Sequence, residues 1–363
     1  MTFIYPTKPL NYRPQSIHKT GDMTYTITIQ PSGHSFQADE NERILDAALR
    51  AGLSLPYGCR NGACGSCIGT LVEGEVRYDE RNRSALSDER ESSGAMLTCQ
   101  ATACSDLTIG VKELSSSSEI EVKRLPARVE EKKQLSHDVI EIKLKLPDTE
   151  RMQFLPGQYI DILLKDGQPR AFSLANPPHR DDFLELHIRV VEGGSFTNFV
   201  QDEMKVKDLL RIEGPHGNFT LDEDGNRSVL LIAGGTGFAP IQSILEHAIA
   251  DGDERMFHLY WGVRTEKDLY LDERARSWAD QYSNIAYTPV LSEHNPALPW
   301  NGMTGFVHEA VLENHDNLSD YDVYMAGPPA MIEAARSGFM AAGLPEDQMF
   351  SDAFEFSTPA QKS

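Results

Sequence analysis

Between Pro56 and Cys67 the chain reads Pro-Tyr-Gly-Cys-Arg-Asn-Gly-Ala-Cys-Gly-Ser-Cys, so Cys59, Cys64 and Cys67 fall in one short loop, and Cys99 follows in Leu97-Thr-Cys-Gln100. Four residues separate the first pair and two the second, the spacing with which a loop delivers three thiolates to a [2Fe–2S] centre while a later segment supplies the fourth. Gly58, Gly62 and Gly65 suit such a loop. They remove side chains that would clash with the irons and sulfides, and they leave amide N–H groups free to point at sulfur. Disulfides are a poorer account of a long chain with five cysteines and no secretory signal. Structural zinc, usually held by two close-spaced cysteine pairs, fits the three-plus-one grouping less well. Cys104 lies outside the pattern and reads as a small buried residue.

At 363 residues the chain is long enough for two or three domains, each with its own core. A net charge of −21 excludes a general nucleic-acid binder and disfavours an anionic membrane surface. The longest uncharged run, Ser228–Leu245, is interrupted by Gly234, Gly235, Gly237 and Pro240, and reads as strand, turn and helix, without membrane insertion. A cytoplasmic protein is expected.

Residues 1–22 hold three prolines and no periodicity and read as a poorly ordered extension, with Met23 a conceivable start of translation. Over residues 23–113 the order is strand (Tyr25, Ile27, Ile29 alternating with threonine), strand (Ser35–Ala38), helix (Ile44–Ala51, closed by Gly52), the cysteine loop and further strands at Ile68–Val72, Met96–Ala101 and Leu107–Val111. Residues 114–119, around Ser115–Ser118, form a linker. Residues 120–225 alternate strongly at Val139–Leu146, Gln158–Leu164 and Leu184–Val191, with a single helix near Thr197–Lys205; this pattern predicts a closed antiparallel barrel. In residues 226–357 apolar strands alternate with amphipathic helices, which predicts a parallel sheet covered on both faces, and 358–363 are a tail. The fold class is therefore α+β and multidomain.

Two further stretches carry chemistry. Arg170-Ala-Phe172-Ser173 ends a barrel strand, and Gly193-Gly194-Ser195-Phe-Thr197 opens the short helix, whose unpaired amides make an anion site. Gly234-Gly235-Thr236-Gly237 follows an apolar strand and opens a helix, the setting in which a backbone approaches a dinucleotide pyrophosphate.

Together these residues resemble the ferredoxin–NADP reductase superfamily, joined to a β-grasp module like that of plant-type ferredoxins. The resemblance implies that Arg170 binds the FAD phosphates and that Phe172 packs on the flavin or its ribityl chain. It places Ser173 near flavin N5, and Gly194, Ser195 and Thr197 on the pyrophosphate. Gly234, Gly235, Thr236 and Gly237 match the family's G-G-T-G-x-x-P turn beside the nicotinamide nucleotide, and Gly214-Pro-His-Gly217-Asn-Phe219 its G-P-x-G-x-F turn. Gly327 and Pro328 match its C-G-P turn, with Ala326 where cysteine is usual, and Phe354 would lie over the flavin face. At the end of the second strand, Arg264 followed by Glu266 in an acidic domain points to NADH, with NADPH left open.

From about residue 24 to 356 the order of modules is similar to that in reductase components of bacterial oxygenases. The framework stretches Leu210–Pro215, His258–Gly262, Thr304–Glu313 and Phe350–Phe354 are similar to the family of CDP-6-deoxy-Δ-3,4-glucoseen reductases. The implied path is NADH to FAD to [2Fe–2S] to a partner protein. That partner would be a pyridoxamine-dependent sugar dehydrase or, alternatively, the oxygenase component of an aromatic mono- or dioxygenase. A redox sensor or carrier without NADH turnover is the remaining alternative.

Overall fold

The computed structural model describes residues 24–57, 62, 67–78, 83, 85–113, 120–164, 169–191, 193–222 and 225–353. Cys59, Cys64, Phe354, the extension 1–22, the linker 114–119 and the tail 358–363 lie outside the described residues.

In the N-terminal module the alternation of β1 (Thr24–Gln30) buries Ile27 and Ile29, and β1 pairs antiparallel with β2 (Ser35–Asp39). Helix α1 (Ile44–Arg50) lays Ile44, Leu45, Ala48 and Leu49 on the sheet and ends at Gly52, whose φ of +73° suits glycine. There follow β3 (Ile68–Glu73), β4 (Val76–Arg77), α2 (Asp88–Ser92), β5 (Ala95–Leu97), β6 (Thr102–Ala103) and β7 (Leu107–Gly110). The main sheet runs β2-β1-β7-β3-β5, with β1 and β7 parallel. Two expectations change. Between the strands expected at Ile68–Val72 and Met96–Ala101 the chain also forms α2, capped by Ser87 Oγ accepting from the Arg90 amide. The strand expected at Met96–Ala101 stops at Leu97, because the chain turns there to bring Cys99 beside Cys67, with the Thr98 amide on the Cys67 carbonyl.

The second module contains β8 (Lys123–Gln134), β9 (Val139–Lys145), β10 (Tyr159–Leu163), β11 (Pro169–Ser173), β12 (Leu184–Arg189), α3 (Ser195–Asp202) and β13 (Leu209–His216). Its sheet order is β11-β10-β13-β8-β9-β12. The two outer strands meet through the Leu174–Leu186 bridge and the Ala175 amide on the Glu185 carbonyl, so the sheet curls into a barrel. Strand β8 escapes a hydropathy reading because its inward residues Leu125, Ala127 and Val129 sit among charges. Helix α3 starts at Ser195, two residues before the expected Thr197.

The third module is β14 (Ser228–Gly234), a 3-10 turn at Gly235–Gly237, α4 (Phe238–Asp251), β15 (Phe257–Val263), α5 (Asp272–Gln281), β16 (Ile285–Leu291), β17 (Met303–Thr304), α6 (Val307–Asn314), β18 (Tyr321–Gly327), α7 (Pro329–Ala341) and β19 (Met349–Ala353). All ladders are parallel in the order β17-β16-β15-β14-β18-β19. One face is covered by a core around Phe238, Trp261 and Trp278, the other by one around Tyr260, Val311 and Phe339. Burial on both faces explains the uninterrupted apolar run of β14.

Candidate functional site

Cys67 and Cys99 are buried with their sulfurs 3.0 Å apart, brought together from the end of the cysteine loop and the turn after β5. The Cys67 contact, together with Gln100 and the Gly62 amide, outweighs burial and holds the Cys99 thiol down to about 7. Such a pair suits thiolate ligation, since it already favours the charged form of sulfur. Cys104, expected to be buried, is partly exposed.

A second centre lies where the barrel meets the parallel sheet. Ser173 ends β11, and its Oγ is 3.4 Å from the Asp352 Oδ2 of β19. Burial pushes the Asp352 carboxyl above its usual range, against the lowering effect of that hydrogen bond. Phe172 tilts against Phe196 of α3, with centroids 5.6 Å apart. Gly194 caps α3 at a tight turn, where an added Cβ would fall 2.5 Å from Thr197 Oγ1; the Thr197 hydroxyl in turn bonds the Val191 amide and the Gly194 carbonyl. Ser195 is exposed at the first position of the helix. Arg170 is half-buried on the edge strand, with Nη1 on the Pro169 carbonyl.

The third centre is a cavity of about 450 Å³ at the carboxyl ends of the parallel strands, the place where ligands bind in open α/β sheets. Gly234, Gly235, Thr236, Arg264 and Pro328 line it. Gly237 lies behind the lining: an added Cβ would fall 1.9 Å from the Ala326 carbonyl oxygen, so glycine lets the turn cross β18. Gly327 packs against Gly234 in the same crossing. Trp261 fixes the turn from behind by donating from Nε1 to the Gly235 carbonyl at 2.9 Å. The barrel also contributes to the cavity, through Asp138, Val139 and Arg189. Asp138 Oδ2 accepts from Arg189 Nε at 2.9 Å, and Arg264 Nη2 is 3.9 Å from both Asp138 Oδ2 and Asp268 Oδ1.

Sequence reasoning missed Asp352, Asp138 and Trp261. Asp352 was within reach, since it lies two residues before Phe354 on the closing strand, and register places it beside Ala326. Asp138 sits in the turn between β8 and β9, and no local pattern betrays that this turn reaches the other module.

The chain matches the 2Fe-2S iron-sulfur cluster binding domain over residues 27–104, the oxidoreductase FAD-binding domain over 126–221 and the oxidoreductase NAD-binding domain over 231–337. Fold and site thus define an electron-transferring oxidoreductase that uses a [2Fe–2S] cluster, FAD and a nicotinamide nucleotide. The chain is 42% identical to the CDP-6-deoxy-L-threo-D-glycero-4-hexulose-3-dehydrase reductase of Yersinia pestis, over 92% of this chain and 99% of that protein. It is 35% identical to terephthalate 1,2-dioxygenase reductase component 2 of a Comamonas species, over 92% and 98% of the two chains. Among solved structures it resembles an Amycolatopsis cytochrome P450 reductase, with 31% identity, a TM-score of 0.61 and coverage of 91% and 99%. The chain belongs to the family of three-module NAD(P)H-dependent iron–sulfur flavoprotein reductases. Among the described residues no helix is long and apolar enough to cross a membrane.

Proposed function

We propose that this reductase oxidises NADH and delivers its electrons to a pyridoxamine-dependent sugar dehydrase. In this reading residues 23–113 carry the cluster on Cys59, Cys64, Cys67 and Cys99, residues 120–225 bind FAD, and residues 226–357 bind NADH. The observation that carries the reading is the meeting of Ser173 and Asp352 at 3.4 Å, which joins the last residue of barrel strand β11 to β19 of the parallel sheet. FAD accepts a hydride as an electron pair, and the cluster relays electrons singly.

The chain's own residues then bind and orient. Gly234, Gly235, Thr236 and Gly237 bring the start of α4 close to a pyrophosphate, whose charge the helix end stabilises. Pro328 walls the cavity, with Gly327 packed behind it against Gly234 and Ala326 supplying no thiol. Gly194, Ser195 and Thr197 shape the amide-rich turn for the FAD diphosphate, with Arg170 adding charge and Phe172 an apolar wall. Ser173, held by Asp352, would offer its hydroxyl to the flavin; Phe354, which the family resemblance assigns to the flavin face, lies outside the described residues.

NADH is favoured over NADPH because Arg264 is shared between two carboxylates, Asp138 and Asp268. Their charge opposes a 2′-phosphate there. Steady-state kinetics with ferricyanide as acceptor should give a kcat/KM at least tenfold higher for NADH, a gap that Asp138→Asn narrows; equal efficiencies in the wild type would reverse the nucleotide assignment. The acceptor proposal follows from the higher identity to the dehydrase reductase than to the oxygenase component, 42% against 35%. Mixing the NADH-reduced protein with a pyridoxamine-phosphate-loaded CDP-hexulose dehydrase and its substrate should yield the deoxygenated sugar. Failure there, with rapid reduction of a terephthalate-type oxygenase component instead, would replace the dehydrase with the oxygenase.

A further inference from the structure

The Ser54–Tyr57 segment enters the cysteine loop without belonging to a helix or strand, yet Ser54 and Tyr57 are each only 5% exposed. Buried irregular backbone needs hydrogen-bond partners, and here the barrel module provides them. Gln153 donates from Nε2 to Ser54 Oγ at 3.1 Å and to the Leu55 carbonyl at 2.8 Å, and its Oε1 accepts from the Tyr57 amide at 3.3 Å. The Tyr57 hydroxyl reaches the Met152 carbonyl at 3.4 Å and Asp181 Oδ2 at 3.5 Å. One carboxamide therefore engages three groups within four residues of the segment that leads, two residues on, to Cys59.

We propose that Gln153 is a positioning residue for the transfer of electrons between the barrel and the cysteine module: it latches the Ser54–Tyr57 segment, and so fixes where the cluster loop stands relative to the flavin. The inference rests on the assignment of Cys59, Cys64, Cys67 and Cys99 to the cluster. Each hydride brings two electrons to the flavin, and they leave one at a time through the cluster to a one-electron acceptor, so two passages balance one NADH. Tunnelling falls exponentially with distance, whereas hydride arrival at the flavin does not involve this segment. Loosening the latch should therefore slow one step and spare the other. Because the carboxamide is neutral, the latch is also indifferent to salt.

The test is anaerobic stopped-flow on the full-length holoprotein carrying Gln153→Ala, with amide hydrogen exchange as a second readout. Flavin bleaching by NADH should stay within twofold of wild type, while cluster reduction, followed by its visible absorbance and electron paramagnetic resonance, slows at least tenfold. Exchange across residues 54–57 should rise at least tenfold, with β1 unchanged. Gln153→Glu, which keeps the shape but loses both donated bonds, should repeat the split if the alanine variant folds poorly. Wild-type cluster reduction despite faster exchange overturns the proposal. So does equal slowing of both steps, or no change in either readout. A wild-type protein lacking iron and acid-labile sulfide would instead sink the ligand assignment, and the latch with it.

Discussion

Two of the joints between modules are built differently. Where the barrel meets the parallel sheet, α4 drives Gln242 and Ser243, both fully buried, onto the carbonyls of Ala175 and Asn176 at 3.0 and 2.8 Å. Around them lies a charged network: Glu185 bonds His187 and Gln242 and faces Arg274, while Arg180 pairs with Glu246. Where the barrel meets the cysteine module, the described polar contacts centre on one neutral carboxamide and one phenol. Hydride transfer needs two rings held in contact with fixed orientation, which a stiff, interlocked joint secures. Single electrons tolerate separation, so the second joint needs only to set a distance.

The largest effect is expected on the stiff side. Gly237→Ala would press a methyl group to 1.9 Å from the Ala326 carbonyl, a clash with backbone that no rotamer change relieves. Overpacking of this kind costs about 3 kcal/mol, here charged against the nucleotide-binding turn, so NADH should bind roughly a hundredfold more weakly. Titration of flavin bleaching measures this, while the cluster spectrum should remain that of wild type. A change below threefold would detach the glycine turn from the nucleotide.

The charged network is the next place to break the contrast. Burial alone would raise the Glu185 carboxyl, but the hydrogen bond and charge of His187, then the charge of Arg274, overcome it and hold the pKa down to about 2. A carboxylate depressed in the folded state stabilises above its unfolded value of about 4.3, and that contribution is lost as the pH falls toward 2. Glu246 works in the opposite sense, since burial raises its carboxyl despite Arg180 and Arg274. Its effect therefore falls at and above the ordinary carboxylate range and leaves the acid window to Glu185. Glu185→Ala, which strands buried partners, should destabilise the protein by about 3 kcal/mol at neutral pH and flatten the loss of stability between pH 4 and 2. Denaturant melts at several pH values would show it, and an unchanged acid limb would remove Glu185 from the joint.

These joints also mark how far the sequence could be read. The alternation in β9 and β10 and the apolar run of β14 each arise from local rules, and each matches the described structure in kind. The site residues that local reasoning proposes, such as Ser173 and Gly234, sit in motifs whose proposed roles follow from backbone geometry. Asp352, Asp138 and Gln153 were not found because each acts across a module boundary, and no period or turn signal in its own segment encodes the partner. The charged strand β8 was lost for a related reason: only its fit against β9 and β13 reveals that Leu125, Ala127 and Val129 face inward.

The smallest expected effect sharpens the comparison at the looser joint. The Tyr57 hydroxyl lies 3.4 and 3.5 Å from its acceptors, at the long end of hydrogen bonding, and Asp181 keeps Arg151 at 4.0 Å when that hydroxyl is gone. Phenylalanine preserves the buried ring, so Tyr57→Phe should cost only about 0.5 kcal/mol. It should also leave the exchange of the Tyr57-position amide nearly unchanged, since that N–H bonds Gln153 rather than the hydroxyl. Combining it with Gln153→Ala tests whether the two contacts act as one unit. Both hold the same short segment, so the double variant should lose more than the sum once the carboxamide no longer fixes the backbone. Strict additivity would mean that the phenol and the carboxamide hold separate things, and a cost above about 1.5 kcal/mol for Tyr57→Phe alone would shift the latch from Gln153 to the phenol.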